Sequence, residues 1–349
     1  PILATRNLSH REVAGVLLWA AVMILFASLP YVVAELWSGP DRYFSGFIWG
    51  VDEGNVYLSW IRQHSEGSWV AANQFTTHPQ NPRFFNIFLF VLGTIARVLR
   101  LSPLQAFHLA RLLGIPCALY AFYCLVAHVT AIHSVRVFSL LFASLASGFG
   151  WIFTLLAYAG RQVPVYPMDC AASWQAMPEA VTFLSFLLNP LFTWSVGLMC
   201  LVLLWAWRAL ERGSLKAATL AGLLLLVLGN IHTYDVFAVH AAILLWAAVL
   251  VLRRNTGLAR AVGLYGVMWL IGAPSLLWAW YVSGADPSYL TKISTPTLSP
   301  RPVDYAAGYG LLGLAAVLGM LTAWVLRPRH PRSLAMVGWA MATLVLVYA

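Results

Sequence analysis

The chain has 349 residues, 61% of them apolar and 9% charged, with 21 Lys and Arg against 12 Asp and Glu and a mean hydropathy of +0.77. A soluble domain carries about 25% charged residues, so a soluble enzyme, a disulfide-stapled secreted scaffold and a disordered tail are all excluded. The net charge of +9 reads as basic loops flanking membrane spans, not as a nucleic-acid surface.

Apolar runs long enough to cross a bilayer core of about 30 Å recur at 13–36, 109–128, 137–158, 184–207, 214–231, 236–252, 260–282, 308–326 and 333–349. The predicted fold class is therefore all-α, a polytopic transmembrane helical bundle of about nine spans. The first run is too long for a signal-peptide core and lacks a cleavage site, so it counts as a span. A start at Pro1 and an end within an apolar run predict a fragment of a longer protein.

A shorter run, 84–99, carries Arg97 and is bracketed by Arg83 and Arg100. If it crossed alone, every later basic cluster would fall on the wrong side of the membrane. The positive-inside rule therefore makes it a juxtamembrane or re-entrant segment in a long outer loop, 37–108, and puts the N-terminus in the cytoplasm with 12 of the 21 basic residues. The expected location is a plasma (inner) membrane, with chemistry on the extracytoplasmic face, where 37–108, 159–183 and 283–307 form the large loops. The predicted division is a catalytic module over 1–282, followed by an outer loop and further spans over 283–349.

The outer loops hold the polar clusters. On a helix at 100° per residue, Asp52, Asn55, Ser59, Arg62 and Glu66 fall within about 80°, opposite Val56, Tyr57, Trp60 and Ile61. That pattern predicts an amphipathic helix on the membrane surface, ended by Gly67. Asp52 and Glu53 at its start read either as a helix N-terminus favoured by the dipole or as carboxylates at the mouth of a catalytic cavity. The stretch NQFTTHPQNPRFFN supplies His78 for a sugar or phosphate, or is a plain connector. Asp169 and Glu179 precede a span; Glu179 reads either as part of a Pro-Glu helix start or as a substrate-binding acid. In GNIHTYDVF, His232 and Asp235 lie deep between two short spans, where ionisable groups are costly and are functional candidates; a capping role for Asp235 is the alternative. Lys292 and Arg301 in the last outer loop meet either a lipid phosphate or water.

Other matches carry less. Gly308, Gly310 and Gly313 fit G-x-G-x-x-G but open a span with no strand before it, so no dinucleotide site follows. Cys117, Cys124 and Cys200 lie in apolar runs and Cys170 in a polar loop, which defines neither a disulfide framework nor a zinc site. The 16 Trp and 14 Tyr suit interfacial belts, with some outer-loop rings, Tyr234 among them, placed to stack on a sugar.

A first span, a long outer loop with the acidic pair Asp52-Glu53 near its start, amphipathic surface helices, a short apolar segment and then a span opening with Arg111 in HLARLLG together resemble the C-type glycosyltransferase (GT-C) superfamily. WQAMPEAVTFLSFLLNP and GNIHTYDVF resemble stretches of its poorly characterised bacterial members, so the likeness covers most of residues 10–282. The resemblance implies a GT-C-type bundle that takes a sugar from a polyprenyl-phosphate carrier and transfers it, with inversion, to an acceptor glycan, lipid or protein outside. The first-loop acid is the family's catalytic position, matched by Asp52 or Glu53. This chain lacks the two-proline segment of the aminoarabinose and protein-mannosyl branches, and its expected truncation at residue 349 hides any soluble outer domain that would identify the acceptor.

The residue types suit that chemistry. A shielded carboxylate can take the acceptor proton, while Arg62, Arg111, Lys292 or Arg301 stabilises the departing phosphate. Mg or Mn held by Asp52, Glu53, His232 and Asp235 is an open alternative. Two other readings remain: a transporter or flippase of a lipid-linked substrate, with His232 and Asp235 relaying protons, and a catalytically silent membrane scaffold.

Overall fold

In the computed structural model the described residues are 8–145, 148–149, 152, 155–156, 159–161, 181–285, 302–326 and 331–348. Among them the regular structure is all-helical, with twelve helices: α1 His10–Leu36, α2 Val51–Ser65, α3 Ile87–Leu99, α4 Pro103–Val129, α5 His133–Ser144, α6 Thr182–Leu188, α7 Pro190–Arg212, α8 Leu215–Ile231, α9 Thr233–Leu252, α10 Leu258–Ala285, α11 Pro302–Leu326 and α12 Pro331–Tyr348. Six of these, α1, α4, α7, α9, α10 and α11, are long and apolar enough to cross a membrane. The chain is a multi-pass membrane protein.

Six of the nine expected spans have a described helix long and apolar enough to cross. The 214–231 run becomes α8, a 17-residue helix; α5, of 12 residues, takes the start of the 137–158 run, and much of the remainder of that run lies outside the described residues. The 333–349 run is α12, of 18 residues. The ambiguous 84–99 run forms α3, whose 13 residues extend about 20 Å, too short for the hydrocarbon core.

α7 lies at the centre, packed against α4, α6, α8, α9 and α10. Trp207 of α7 meets Trp246 of α9 with ring centroids 5.7 Å apart, at the heart of the largest apolar cluster. Between membrane helices close backbone approach supplies packing energy that the hydrophobic effect does not. Here α4 and α7 come so near that a Cβ on Gly197 would lie 3.1 Å from the Ala118 Cα. Outward from this centre, α1 buries only Val16, Ala20, Met23 and Ala27, one stripe at helical spacing, and presents Leu18, Leu25 and Leu29 to the surroundings. A helix apolar on every side fits lipid on one face and protein on the other.

α4, α7 and α9 run one way and α1, α8 and α10 the other, as their paired contacts show, so the six helices share two ends. At one end lie Gly50, Asp52, Arg111, Asn189 and His232; at the other lie Glu12, His128, Arg208 and Glu211.

Candidate active site

Gly50, with φ +65° and ψ 40°, turns the chain into α2 and offers no side-chain cap, so Asp52 and Glu53 supply the negative charge that the first-turn N–H groups favour. As expected, the helix is two-sided: Asp52, Asn55 and Arg62 are exposed, while Gly54, Ile61 and His64 are buried. The buried face lies against α3, where Gly93 has no room for a side chain because a Cβ there would sit 2.8 Å from the Ile61 carbonyl oxygen. Glu53, though exposed, borders a hollow of about 20 Å³ formed with Phe47, Tyr57, Phe107, Asn189 and Phe192. That is room for a water or a hydroxyl group, not a sugar ring. Asp52 does not border it.

Asn189 and Phe192 are there because a seven-residue helix, α6, breaks at Asn189, whose side chain caps α7 by accepting from Leu191 N at 2.9 Å ahead of Pro190 at the first helical position. Phe192 then links two predicted clusters. It borders the Glu53 hollow, and its ring stands edge-on to His232 with centroids 5.5 Å apart. His232 begins α9 from extended backbone, and its Nδ1 lies 3.0 Å from the Asp235 Oδ2. Tyr234, 75% exposed, stands edge-on to the same imidazole.

A reciprocal pair of asparagines ties this junction to the first loop. Asn86 Nδ2 donates to the carbonyls of Asn230 (3.2 Å) and Ile231 (3.1 Å), while its Oδ1 caps α3; Asn230 Oδ1 accepts from Ile87 N at 2.6 Å and its Nδ2 donates to Phe85 O at 3.1 Å. Replacing Asn230 with Ala strands Ile87 N and Phe85 O, each worth about 1–3 kcal/mol when buried and unpaired. The expected result is a clear fall in the thermal midpoint of the purified protein and faster proteolysis between α2 and α4; an unchanged midpoint would mean the pair does not hold the loop.

On the other side of Phe47 and Phe107 lies a cavity of about 500 Å³ between the last turns of α1 and the start of α4. Gly46 and His108 border the cavity while Phe47 and Phe107 border the hollow, so the ring pair, with centroids 5.5 Å apart, stands between them. Arg111 forms the cavity's polar wall at only 3% exposure. Its Nη1 donates to the carbonyls of Ala27 (3.0 Å) and Phe186 (3.3 Å), and its guanidinium lies 4.2 Å over the Tyr31 ring. Its Nε donates to His108 Nδ1 at 3.3 Å, which leaves His108 Nε2–H to donate to Gly46 O at 3.0 Å and fixes a neutral imidazole. No carboxylate pairs with Arg111 among the described residues. Glu35, one turn beyond Tyr31, is exposed on the cavity's border.

No protein-family model, no curated protein and no solved structure matches this chain.

Of the residues singled out in the sequence, Glu53 borders the hollow and Arg111 the larger cavity, while His232, with Asp235 and Tyr234 beside it, reaches the hollow only through the Phe192 ring and Asp52 lines neither space. Arg62 instead pairs with Glu66 at 2.9 Å on the exposed face of α2, and His78 is exposed in the following loop. Asp169, Glu179, Lys292 and Arg301 fall outside the described residues. Among the described residues no three of His, Cys, Asp and Glu gather as metal donors, so Asp52, Glu53, His232 and Asp235 do not make a site for Mg or Mn. Sequence reading missed Tyr31, Glu35 and His108. Their signal was present: Tyr31 and Glu35 are four apart, and His108 and Arg111 three apart, on otherwise apolar spans, spacings that put each pair on one helical face.

Proposed function

We propose that the chain is a membrane glycosyltransferase of GT-C type that uses a polyprenyl-phosphate-linked sugar, with Glu53 as general base. The observation that carries this reading is an acid at a hydroxyl-sized hollow and, in a cavity of about 500 Å³, a buried guanidinium with no carboxylate partner among the described residues, with the Phe47–Phe107 ring pair bordering the hollow beside it. A cavity of that size is typical for a small ligand. In the reaction the acceptor hydroxyl attacks the anomeric carbon as its proton passes to the Glu53 carboxylate. The bond from that carbon to the phosphate oxygen breaks, its electron pair stays on the lipid phosphate, and Arg111 stabilises the added charge. His232, held by Asp235 against Phe192, orients the acceptor side. The sugar, the acceptor, the membrane and the outer placement of the site belong to this proposal.

A transporter or flippase would need a passage along α4. Between Arg111 and His128 that helix instead buries Gly114, Ile115, Ala118, Leu119 and Leu125 against its neighbours, which favours a site at one end. The test is a polyprenyl phosphate carrying a photoreactive group near its phosphate, added to the purified protein in vesicles. The expected label falls on peptides containing Tyr31, Leu104 or His108, and unlabelled polyprenyl phosphate removes it. Label spread over the lipid-facing helices without competition would overturn the reading.

A further inference from the structure

The opposite end of the bundle carries a second cavity, of about 440 Å³, between the start of α1, the end of α4 and α7. Val13, Tyr120, Cys124, Leu201 and Trp205 give it an apolar and aromatic wall, and Arg208 is its cation. Arg111 and His128, which mark the two cavities, are 17 positions apart on α4, about 25 Å at 1.5 Å per residue.

Arg208 is unusual in what it lacks. Its guanidinium lies 4.8 Å over the Trp205 ring, its Nε is buried without a hydrogen-bond partner, and no carboxylate pairs with it among the described residues. Described acids at this end are both engaged elsewhere. Glu12 holds Arg136 at 2.7 Å. Glu211 accepts from Arg332 through both oxygens, at 3.0 and 2.8 Å, and lies 3.3 Å from His128 Nε2. Arg212, Lys216, Arg253, Arg254 and Arg260, at the neighbouring helix ends, add only more positive charge. Among the described residues Glu211 reaches Arg208 only through space, and no carboxylate is left to pair with it directly.

We propose that this cavity binds one anionic phospholipid of the surrounding bilayer, its phosphate against Arg208 and Trp205. The walls argue for a lipid, because a free phosphate would gain nothing from them. The apolar track also continues toward the bilayer interior: Leu17, one turn beyond Val13, is 51% exposed, and Cys117, two turns before Cys124, is exposed as well. An acyl chain laid along α1 and α4 covers this track while its head group reaches the guanidinium. A guanidinium stacked on a ring and presented to a phosphate is a strong, geometrically specific contact.

The test is lipid retention by the full chain, measured by native mass spectrometry during titration with phosphatidylglycerol or phosphatidylcholine. Wild type is expected to retain one phosphatidylglycerol in preference to phosphatidylcholine, Arg208→Gln to weaken that retention about tenfold or more, and Arg208→Lys, which keeps the charge but not the planar fork, to fall between them. Lys216→Gln, at an exposed position of the same end, is expected to behave as wild type. Thermal midpoints of both Arg208 variants confirm that they are folded; if Arg208→Gln is not, the Lys variant decides, and retention equal to wild type then overturns the proposal. Equal retention of the two lipids by wild type, unchanged retention by Arg208→Gln, or an equal loss in Lys216→Gln overturns it too. So does stoichiometric displacement of phosphatidylglycerol by lower concentrations of polyprenyl phosphate, which would make the site one for the carrier.

Discussion

Glu53→Gln is expected to reduce sugar transfer by at least about 10²-fold, the lower range for loss of a positioned general base, while Asp52→Asn stays near wild type. The difference follows from placement, since only Glu53 borders the hydroxyl-sized hollow. Folding is not at stake in either variant. Gln has the shape of Glu, and an exposed carboxylate at a helix start contributes about 0.3–1 kcal/mol through the dipole. Transfer assayed with a radiolabelled polyprenyl-phosphate sugar, together with retention of the photoreactive carrier, separates the two roles: Glu53→Gln should bind the carrier and fail to turn over. Full activity in Glu53→Gln removes the proposed base. If Glu35→Gln is the silent variant instead, the chemistry belongs at the border of the larger cavity, where Glu35 sits.

The sequence made some of this visible because two periodicities are strong. Unbroken apolar runs marked the long helices, and a 100° repeat of polar residues marked α2, since both are properties of a helix by itself. Whether a helix crosses is a different matter. α8, with 17 residues, is as apolar as its neighbours and falls only just short of the length that marks the six longer helices. The individual site residues were legible as costly polar groups on apolar spans, but their partners were not. Arg111 is satisfied by two backbone carbonyls 84 and 75 positions away, and Asn86 by carbonyls 144 and 145 positions away. Carbonyls are the same in every residue, so no side-chain pattern reports them. The hollow depended on the break at Asn189, where Asn before Pro is a readable helix start; that it would bring Phe192 between Glu53 and His232 depended on how α7 packs.

Glu211→Gln is expected to destabilise the protein by about 3–5 kcal/mol, the cost of leaving a buried charge without its partner. The side chains of Glu211, Arg332 and His128 are 4%, 9% and 0% exposed, so water cannot replace the missing carboxylate charge. The strain falls on α12, because Arg332 lies at its start and also donates to His128 O, while the rest of the helix rests on α9 and α11. Release of α12 should appear as early proteolysis ahead of it and as a lower thermal midpoint. Glu66→Gln is the matched control: its partner Arg62 is 71% exposed, and such surface pairs contribute about 0–1 kcal/mol. If the two variants are equally stable, Arg332 does not depend on Glu211 and α12 is not anchored there. Replacing Glu211 and Arg332 together with Met should recover much of the loss, because removing both members of a buried pair avoids an uncompensated charge. The same double variant bears on Arg208. With Glu211 gone its surroundings become no more acidic, so its demand for an external phosphate should persist even as α12 is re-anchored by apolar contact.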